Sequence, residues 1–493
     1  MLCNFINSLP SSSQSPTWRN LRRRISFIAA NIHAPLPSRP PLAKLHSLSL
    51  LSDQCTSMHQ LKEIHAQMII TGRIHDNYAA SRLFSFAALS HAGDLTYALE
   101  IFRSIQEPNS FMWNTLIRAQ ASSSEPQEAL SLYLLMRRLG VTPGKHTFPF
   151  LLKACSNMKD LCATQQVHIH VIKFGLHLDL HAVNGLIRAY SVSAALSHAR
   201  KLFDEFPEKQ TTIWTTLICG YAQNDDSSGE AVKLFELMIS TGVEPIAATL
   251  ASVLSACAQT GCLEMGKEIH VYMVEKGIRV GVILGTALVN MYAKNGAIVQ
   301  ATKCFFSMTE KNIATWNAII SGLGAHGYVK EAINLFENLL VEENLKPNDI
   351  TLVGVLSACC HAGLLGYGRR VFNSMKELHG IEPKLEHYSC MVDLLGRCGK
   401  LIEAEQLIRG MVWKADVVIW GSLLRSCQCH GNIEIAERVV KEILLLDPNN
   451  HGVYVGLSNM YAESGRWEDV LWTRKEMKHG SLKKTSGWSY VNK

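Results

Sequence analysis

The sequence predicts an all-α chain, an α-solenoid superhelix of helix-turn-helix repeats, and three observations carry that expectation. The phrase "WNTLI" at Trp113 returns as "WTTLI" at Trp214, "WNAII" at Trp316 and "WGSLL" at Trp420, at intervals of 101, 102 and 104 residues. Between the tryptophans other phrases recur in a fixed order: "LLKACS" from Leu151, "VLSACA" from Val253 and "VLSACC" from Val355, then "LIRAY", "LVNMYAKNG" and "MVDLLGRCG" from Leu186, Leu288 and Met391. Within the copies a small residue, usually Gly, precedes a second small residue by five, as in Gly93 and Ala98, Gly261 and Gly266, Gly296 and Ala301, Gly327 and Ala332, Gly363 and Gly368, Gly399 and Ala404, and Gly431 and Ala436.

Each element follows from these phases. If a unit starts three residues before its tryptophan or the equivalent position, units run 110–144, 145–179 and 180–210, then 211–246, 247–281 and 282–312, then 313–348, 349–384 and 385–416. The lengths are 35, 35 and 31 residues, and then 36, 35 and 31. The first small residue is expected to end one helix in a left-handed conformation, and the second to let the next helix approach closely. The second helix carries apolar residues at helical spacing, as in "EAINLFENLL" with Ile333, Phe336 and Leu340. Pro143, Pro245 and Pro347 close the first-type units and stop the helix before the next hairpin. A single hairpin cannot bury its apolar face, whereas a stack can. Trp113, Trp214, Trp316 and Trp420 are expected to be packing anchors, and His65, His168, His170 and His270 to be packed or solvated helix residues rather than ligands.

Composition narrows the function classes. The 14 cysteines are scattered through apolar stretches of a long chain, which argues against a disulfide framework and for a reducing compartment. Formal net charge is +6, but Arg19, Arg22, Arg23, Arg24, Arg39 and Lys44 supply that excess from an acid-free N-terminal segment, and the remainder is neutral. Global basicity is therefore no argument for nucleic acid. Residues 1–50, with "SSSQSP", "RNLRRRISF" and "APLPSRPP", have the composition of an organellar transit peptide, mitochondrial by Arg density with the chloroplast as the alternative. Pro245 to Leu263 and Ile350 to Gly368 lack acidic, Lys and Arg residues, but their Gly, Ser and His interruptions suit buried hairpins rather than lipid-facing helices. No membrane association is expected.

The phrases "WNTLIRA", "GVTP" and "LVNMYAKNG", with the alternation of lengths, resemble the plant pentatricopeptide-repeat proteins in which ordinary, long and short repeats alternate; the tetratricopeptide pattern is absent. The resemblance divides the chain into degenerate N-terminal repeats at 51–109, beginning with "QCTSMHQLKEIHAQMIITG", the alternating array at 110–416, and a C-terminal region at 417–493 that looks like the paired E-type motifs of that family. Longer relatives continue into a cytidine deaminase, whose zinc needs H-x-E and C-x-x-C. No histidine here is followed two residues later by Glu, no C-x-x-C occurs, and "CCH" at Cys359 to His361 falls in a repeat helix. The chain is accordingly expected to be non-catalytic and to hold neither metal nor cofactor.

The resemblance also implies where bases are read: one per repeat, by its fifth and last residues. Thr286 with Asn312 implies adenine, Asn317 with Asn348 cytosine, Ser389 with Asp416 guanine, and Ser81 with Asn109 adenine in a weaker match. Asn114 pairs with Gly144, Asn184 with Gln210 and Thr215 with Ile246, which keep a polar first reader without a usual partner. Pro149, Ala251 and Val353 in the long units are expected to space the array. Any one of these Ser, Thr or Asn residues could be a simple helix cap; recurrence in phase distinguishes the pairs. The expected partner is single-stranded organellar RNA, and the expected function is recognition of sites for C-to-U editing, with a deaminase-bearing protein and other editing factors recruited through the E-type region. RNA splicing, processing or stabilisation, and a protein-binding scaffold, are the alternative functions.

Overall fold

The computed structural model describes residues 51–341 and 345–479; the expected transit segment and the last residues of the E-type region lie outside them. The chain divides into two compact units after Asn157. The first holds α1 (Met58–Ile70), α2 (Asn77–Leu89), α3 (Leu95–Ser104), α4 (Ser110–Ala121), α5 (Gln127–Arg138) and α6 (Thr147–Met158). The second runs α7 (Leu161–Lys173), α8 (Leu180–Val192), α9 (Leu196–Glu205), α10 (Thr211–Ala222), α11 (Ser228–Ser240), α12 (Ala247–Thr260) and α13 (Leu263–Glu275). It continues with α14 (Val282–Lys294), α15 (Ile298–Ser307), α16 (Ile313–Ala325), α17 (Val329–Val341), α18 (Asp349–Ala362), α19 (Leu365–His379), α20 (Leu385–Arg397) and α21 (Leu401–Arg409). The final helices are α22 (Val417–His430), α23 (Ile433–Leu446), α24 (His451–Glu463) and α25 (Trp467–His479). No strand occurs among the described residues.

In the second unit the first helix of every repeat packs on the first helix of the next, α8 on α10, α10 on α12, and so on to α20 on α22, while each second helix packs back on its own hairpin partner. This two-layer stack is an α-solenoid. The tryptophans anchor it as expected: Trp113, Trp214 and Trp316 are buried and meet Phe102, Phe203 and Phe305 of the preceding hairpin edge-on, with centroids 4.7, 4.6 and 4.9 Å apart. Such ring pairs add about 0.5–1.5 kcal/mol beyond area burial. The histidines are packed too: His65, His168 and His270 each bring Nδ1 to a tyrosine hydroxyl, of Tyr97, Tyr190 and Tyr292, at 2.7, 2.9 and 2.9 Å. The last repeat and the C-terminal helices share one core, in which Trp420, Leu423, Val439, Ile443, Leu457 and Tyr461 pack together.

Close approach at the second small residue is direct. A Cβ added at Gly266 would lie 2.3 Å from Met291 Sδ, and one at Gly368 would lie 2.5 Å from Leu394 Cδ2. Two sequence expectations need correction. Gly261 ends α12 in the left-handed region, at φ 75°, but Gly93 has an ordinary φ and is required for a different reason: a Cβ there would sit 2.5 Å from the Ala87 carbonyl oxygen. In α17 the buried stripe is Ala332, Leu335, Phe336 and Leu339, whereas Leu340 is exposed and Ile333 half-buried. The small residue at 332 marks the inward face, and positions three, four and seven beyond it complete that face.

Candidate nucleic-acid interface

The last residue of one repeat and the fifth of its first helix come together because the first helices are stacked and capped in a regular way. Asn109, Asn312, Asn348 and Asp416 are all N-caps: the Oδ1 of each accepts the backbone N–H three residues on, at 3.0, 3.0, 3.0 and 2.9 Å. Capping and base reading are therefore compatible roles, since a capping asparagine spends its carbonyl oxygen and keeps its amide N–H groups.

The structure joins some of the expected pairs. Asn109 Nδ2 donates to Ser81 Oγ at 3.3 Å, and Asn317 Nδ2 donates to Asn348 Oδ1 at 3.0 Å. Thr286 and Asn312 are joined through a third residue: Thr286 Oγ1 lies 2.7 Å from Thr315 Oγ1, which lies 2.9 Å from Asn312 Oδ1. Ser389 and Asp416 share no hydrogen bond; Asp416 is exposed and Ser389 is half-buried.

The pairs without a usual partner separate further. Asn114 Oδ1 accepts from Thr147 Oγ1 at 2.8 Å, and Gly144 N–H donates to that same hydroxyl. Thr215 Oγ1 meets Thr249 Oγ1 at 2.7 Å and donates to the Thr211 carbonyl at 2.7 Å, while Ile246 offers only an exposed apolar side chain. Asn184 is not bonded to Gln210, and its Oδ1 is buried without a partner.

Two groups of residues went unread in the sequence. Thr147, Thr249, Thr315 and Thr351 occupy the third position of a repeat, are fully buried, and contact the fifth residue of the preceding repeat. Their signal is a threonine recurring two residues before the fifth position of its own repeat. The second position carries exposed apolar side chains, Tyr78, Phe111, Ile283, Ile350 and Val418, where a solenoid core would place none. In the first unit Tyr78 and Phe111 flank a cavity of about 470 Å³ that Ser81 and Asn109 also line. Arg82 pairs with Asp53, donates to the Tyr78 hydroxyl at 2.7 Å and lies over its ring, holding it as a platform. A slot with apolar walls and amide and hydroxyl groups suits a planar heteroaromatic ring edge-on to the polar pair.

Electrostatics are local. The Lys384 ammonium, bonded to the carboxylate at 2.5 Å, holds Asp349 below the usual carboxylate range beside the Asn348 cap. Among the described residues no group of three or more His, Cys, Asp and Glu is placed to hold a metal ion. In the "CCH" stretch Cys359 is buried and pushed up to about 11 by desolvation, and Cys360 donates to Asp393 Oδ2 at 2.9 Å; Cys427 is pushed up to about 12. Thiols so placed are not thiolates near neutral pH.

Stacked hairpins that bring polar side chains together at the start of several first helices define a helical-repeat protein. The PPR repeat family model matches residues 108–157 and 311–361, the PPR repeat model matches 212–243, 248–278, 286–313, 350–379 and 386–414, and the E motif model matches 430–492. A pentatricopeptide repeat-containing protein of Arabidopsis thaliana is 38% identical over 470 residues, 88% of this chain and 88% of its own length. Another, labelled chloroplastic, is 33% identical over 595 residues (93% and 80%), and one labelled mitochondrial is 32% identical over 620 residues (98% and 88%). The crystal structure of pentatricopeptide repeat protein PPR10 in complex with an 18-nt psaJ RNA element aligns with a TM-score of 0.62 at 18% identity, covering 94% of this chain and 66% of that one. The chain belongs to the pentatricopeptide-repeat family.

Proposed function

We propose that the protein is a sequence-specific binder of organellar single-stranded RNA and that it marks cytidines for C-to-U editing, with the deaminase supplied by another protein. The observation that carries the RNA reading is the Asn317–Asn348 pair at 3.0 Å, repeated in phase by Ser81–Asn109 and by the Thr286–Thr315–Asn312 chain. The recognition of one base per repeat by two or three side chains has this form. The RNA bound by PPR10 supports the same reading, as does the match of 430–492 to the E motif for editing rather than stabilisation. The organelle labels of relatives support an organellar location, with the mitochondrion favoured by the Arg-rich segment 1–50.

The hydrogen-bond inventory of one pair agrees with the expected base. With Asn348 Oδ1 committed to the cap, Asn317 and Asn348 present mainly N–H groups. Cytosine answers with acceptors at N3 and O2, whereas uracil turns a donor toward the pair at N3. Comparison of organellar RNA from plants with and without the gene tests the whole reading: loss of C-to-U change at a discrete site is expected. Unaltered cytidines with altered introns or transcript ends would replace editing by processing.

A further inference from the structure

Thr249, Thr315 and Thr351 close capping boxes by accepting the N–H of their own N-cap residue, but like Thr147 they also contact the fifth residue of the preceding repeat, which capping does not require. Around Thr351 every hydrogen bond can be assigned a direction. The Thr351 backbone N–H can only donate, so the Asn348 atom 3.0 Å from it is Oδ1. The Asn317 atom 3.0 Å from that oxygen must then be Nδ2, which turns Asn317 Oδ1 toward Thr351 Oγ1, at 2.6 Å. Thr351 Oγ1 meanwhile accepts the Asn348 backbone N–H at 3.1 Å, and of the two oxygens within reach of its single proton, Asn348 Oδ1 at 3.0 Å and Asn317 Oδ1 at 2.6 Å, the nearer one takes it. The result is one polarity: carbonyl oxygens of both amides face the protein, and N–H groups remain for the groove.

The same geometry recurs wherever the residue does. Thr147 donates to Asn114 Oδ1 while accepting from Gly144 N–H, and Thr315 accepts from Asn312 N–H at 3.3 Å while contacting Thr286. Thr249 accepts from Ile246 N–H and meets Thr215. Where the third position is Ile213, the amide before it, Asn184, is left with a buried and unpartnered Oδ1.

We propose that the third-position threonine is a positioning and specificity-determining residue for the preceding repeat: it fixes which atoms of the reading pair face the base, and isoleucine at 213 or 419 leaves the reading group of that repeat unset. The proposal rests on the base-reading function above and assigns it a third participant. It explains why a reader of favourable type, such as Asn184, can occupy the right place without the right polarity.

The test uses the full chain and matched single-stranded RNAs differing only in cytosine or uracil at the base facing repeat 313–348. The wild type is expected to prefer cytosine, Thr351→Val to lose about fivefold of that preference as the worth of one hydrogen bond, and Thr351→Ser to retain it. A structural role alone would lower affinity for both RNAs in one ratio. Thr351→Val with the wild-type ratio, or Thr351→Ser failing as valine does, overturns the proposal alone; a wild type indifferent to that base overturns it together with the reading beneath it. If Thr351→Val does not fold, Ile213→Thr decides: a shift of about threefold or more toward cytosine at the base facing 180–210 is expected, and an unchanged ratio overturns the proposal.

Discussion

Repeats 180–210 and 313–348 carry the same asparagine at the same place, and only one of them closes a hydrogen-bond network. Asn317 is tied at both ends of its amide, to Thr351 and to Asn348, whereas Asn184 has a buried oxygen with no partner and Gln210 stands exposed beside it. The backbone is not the cause, because each asparagine is the fifth residue of a 13-residue first helix, Leu180–Val192 or Ile313–Ala325. The difference lies in two other residues, the threonine or isoleucine of the next helix and the asparagine or glutamine at the cap. A reading position is thus a property of three side chains from two consecutive repeats.

The largest expected effect tests whether the helix packed after repeat 180–210, which carries Trp214, is anchored as firmly as the first helix of repeat 313–348, which carries Trp316. Trp214→Ala and Trp316→Ala each remove a buried indole stacked edge-on against a phenylalanine. Each should cost about 3–5 kcal/mol in chemical denaturation, and the two costs should agree within about 1 kcal/mol. A much cheaper loss at Trp214 would trace the difference between the two asparagines to looser packing of the helix that covers Asn184 and not to polar chemistry.

Replacing the asparagines themselves sharpens the contrast. Asn317→Leu removes two hydrogen bonds, to the Thr351 hydroxyl and to Asn348 Oδ1, while leaving the capping bonds between those two residues, and should destabilise by about 1–2 kcal/mol. Asn184→Leu removes an oxygen that is already unpaired and should be neutral within about 0.5 kcal/mol or slightly stabilising. Equal destabilisation by both, measured by urea unfolding, would mean that the Asn184 oxygen has a partner in solution.

Much of this molecule was legible because the chain restates itself. The hairpins, their stacking, the tryptophan anchors and the positions of the fifth and last residues all follow from phrases that recur in phase. The failures have a common form. Gly93 matched the other glycines in spacing, but its need comes from the Ala87 carbonyl rather than from φ. The "EAINLFENLL" face was displaced because large apolar residues were followed instead of the small Ala332. The threonine contacts are not visible in either reader alone, because Thr351 meets Asn317 from 34 residues away in the next repeat.

Base preference gives a smaller but more specific test. In repeat 282–312, Asn312 caps through Oδ1 and keeps its amide N–H groups, whereas an aspartate would keep only an acceptor. Guanine presents N–H donors at N1 and N2, so Asn312→Asp should move this repeat from adenine toward guanine by about tenfold in relative affinity. RNAs varied at that base alone, titrated against both proteins, measure the change. Altered preference at the base facing 313–348 as well would show that neighbouring readers are coupled through Thr315.

The smallest effect concerns a third-position residue that is not threonine. His387 opens α20 as Thr351 opens α18: its Nδ1 accepts the Lys384 backbone N–H at 3.1 Å, so its proton sits on Nε2 and is donated to the Asp349 carbonyl at 3.0 Å. Protonation of Nδ1 would turn that acceptor into a donor facing a donor. Burial is the main reason the ring is held below its ordinary value, with the Asp349 hydrogen bond and the charges of Glu386 and Asp349 opposing it and Lys384 adding to it. The unfolded chain therefore takes up a proton more readily than the folded one: the stabilisation is intact above the ordinary histidine value of 6.5 and is lost as pH falls below it. The loss ends once the lowered folded value is passed. His387→Thr should keep the cap and remove the titration, so the fall in stability between about pH 7.5 and about pH 5.5 should be smaller than in the wild type. His65, His168, His270 and His379 are also lowered by burial and will leave a residual slope in both proteins. An identical slope in wild type and variant would mean that His387 takes up its proton equally readily in the folded and unfolded chain, so that its cap bond contributes nothing to the pH dependence.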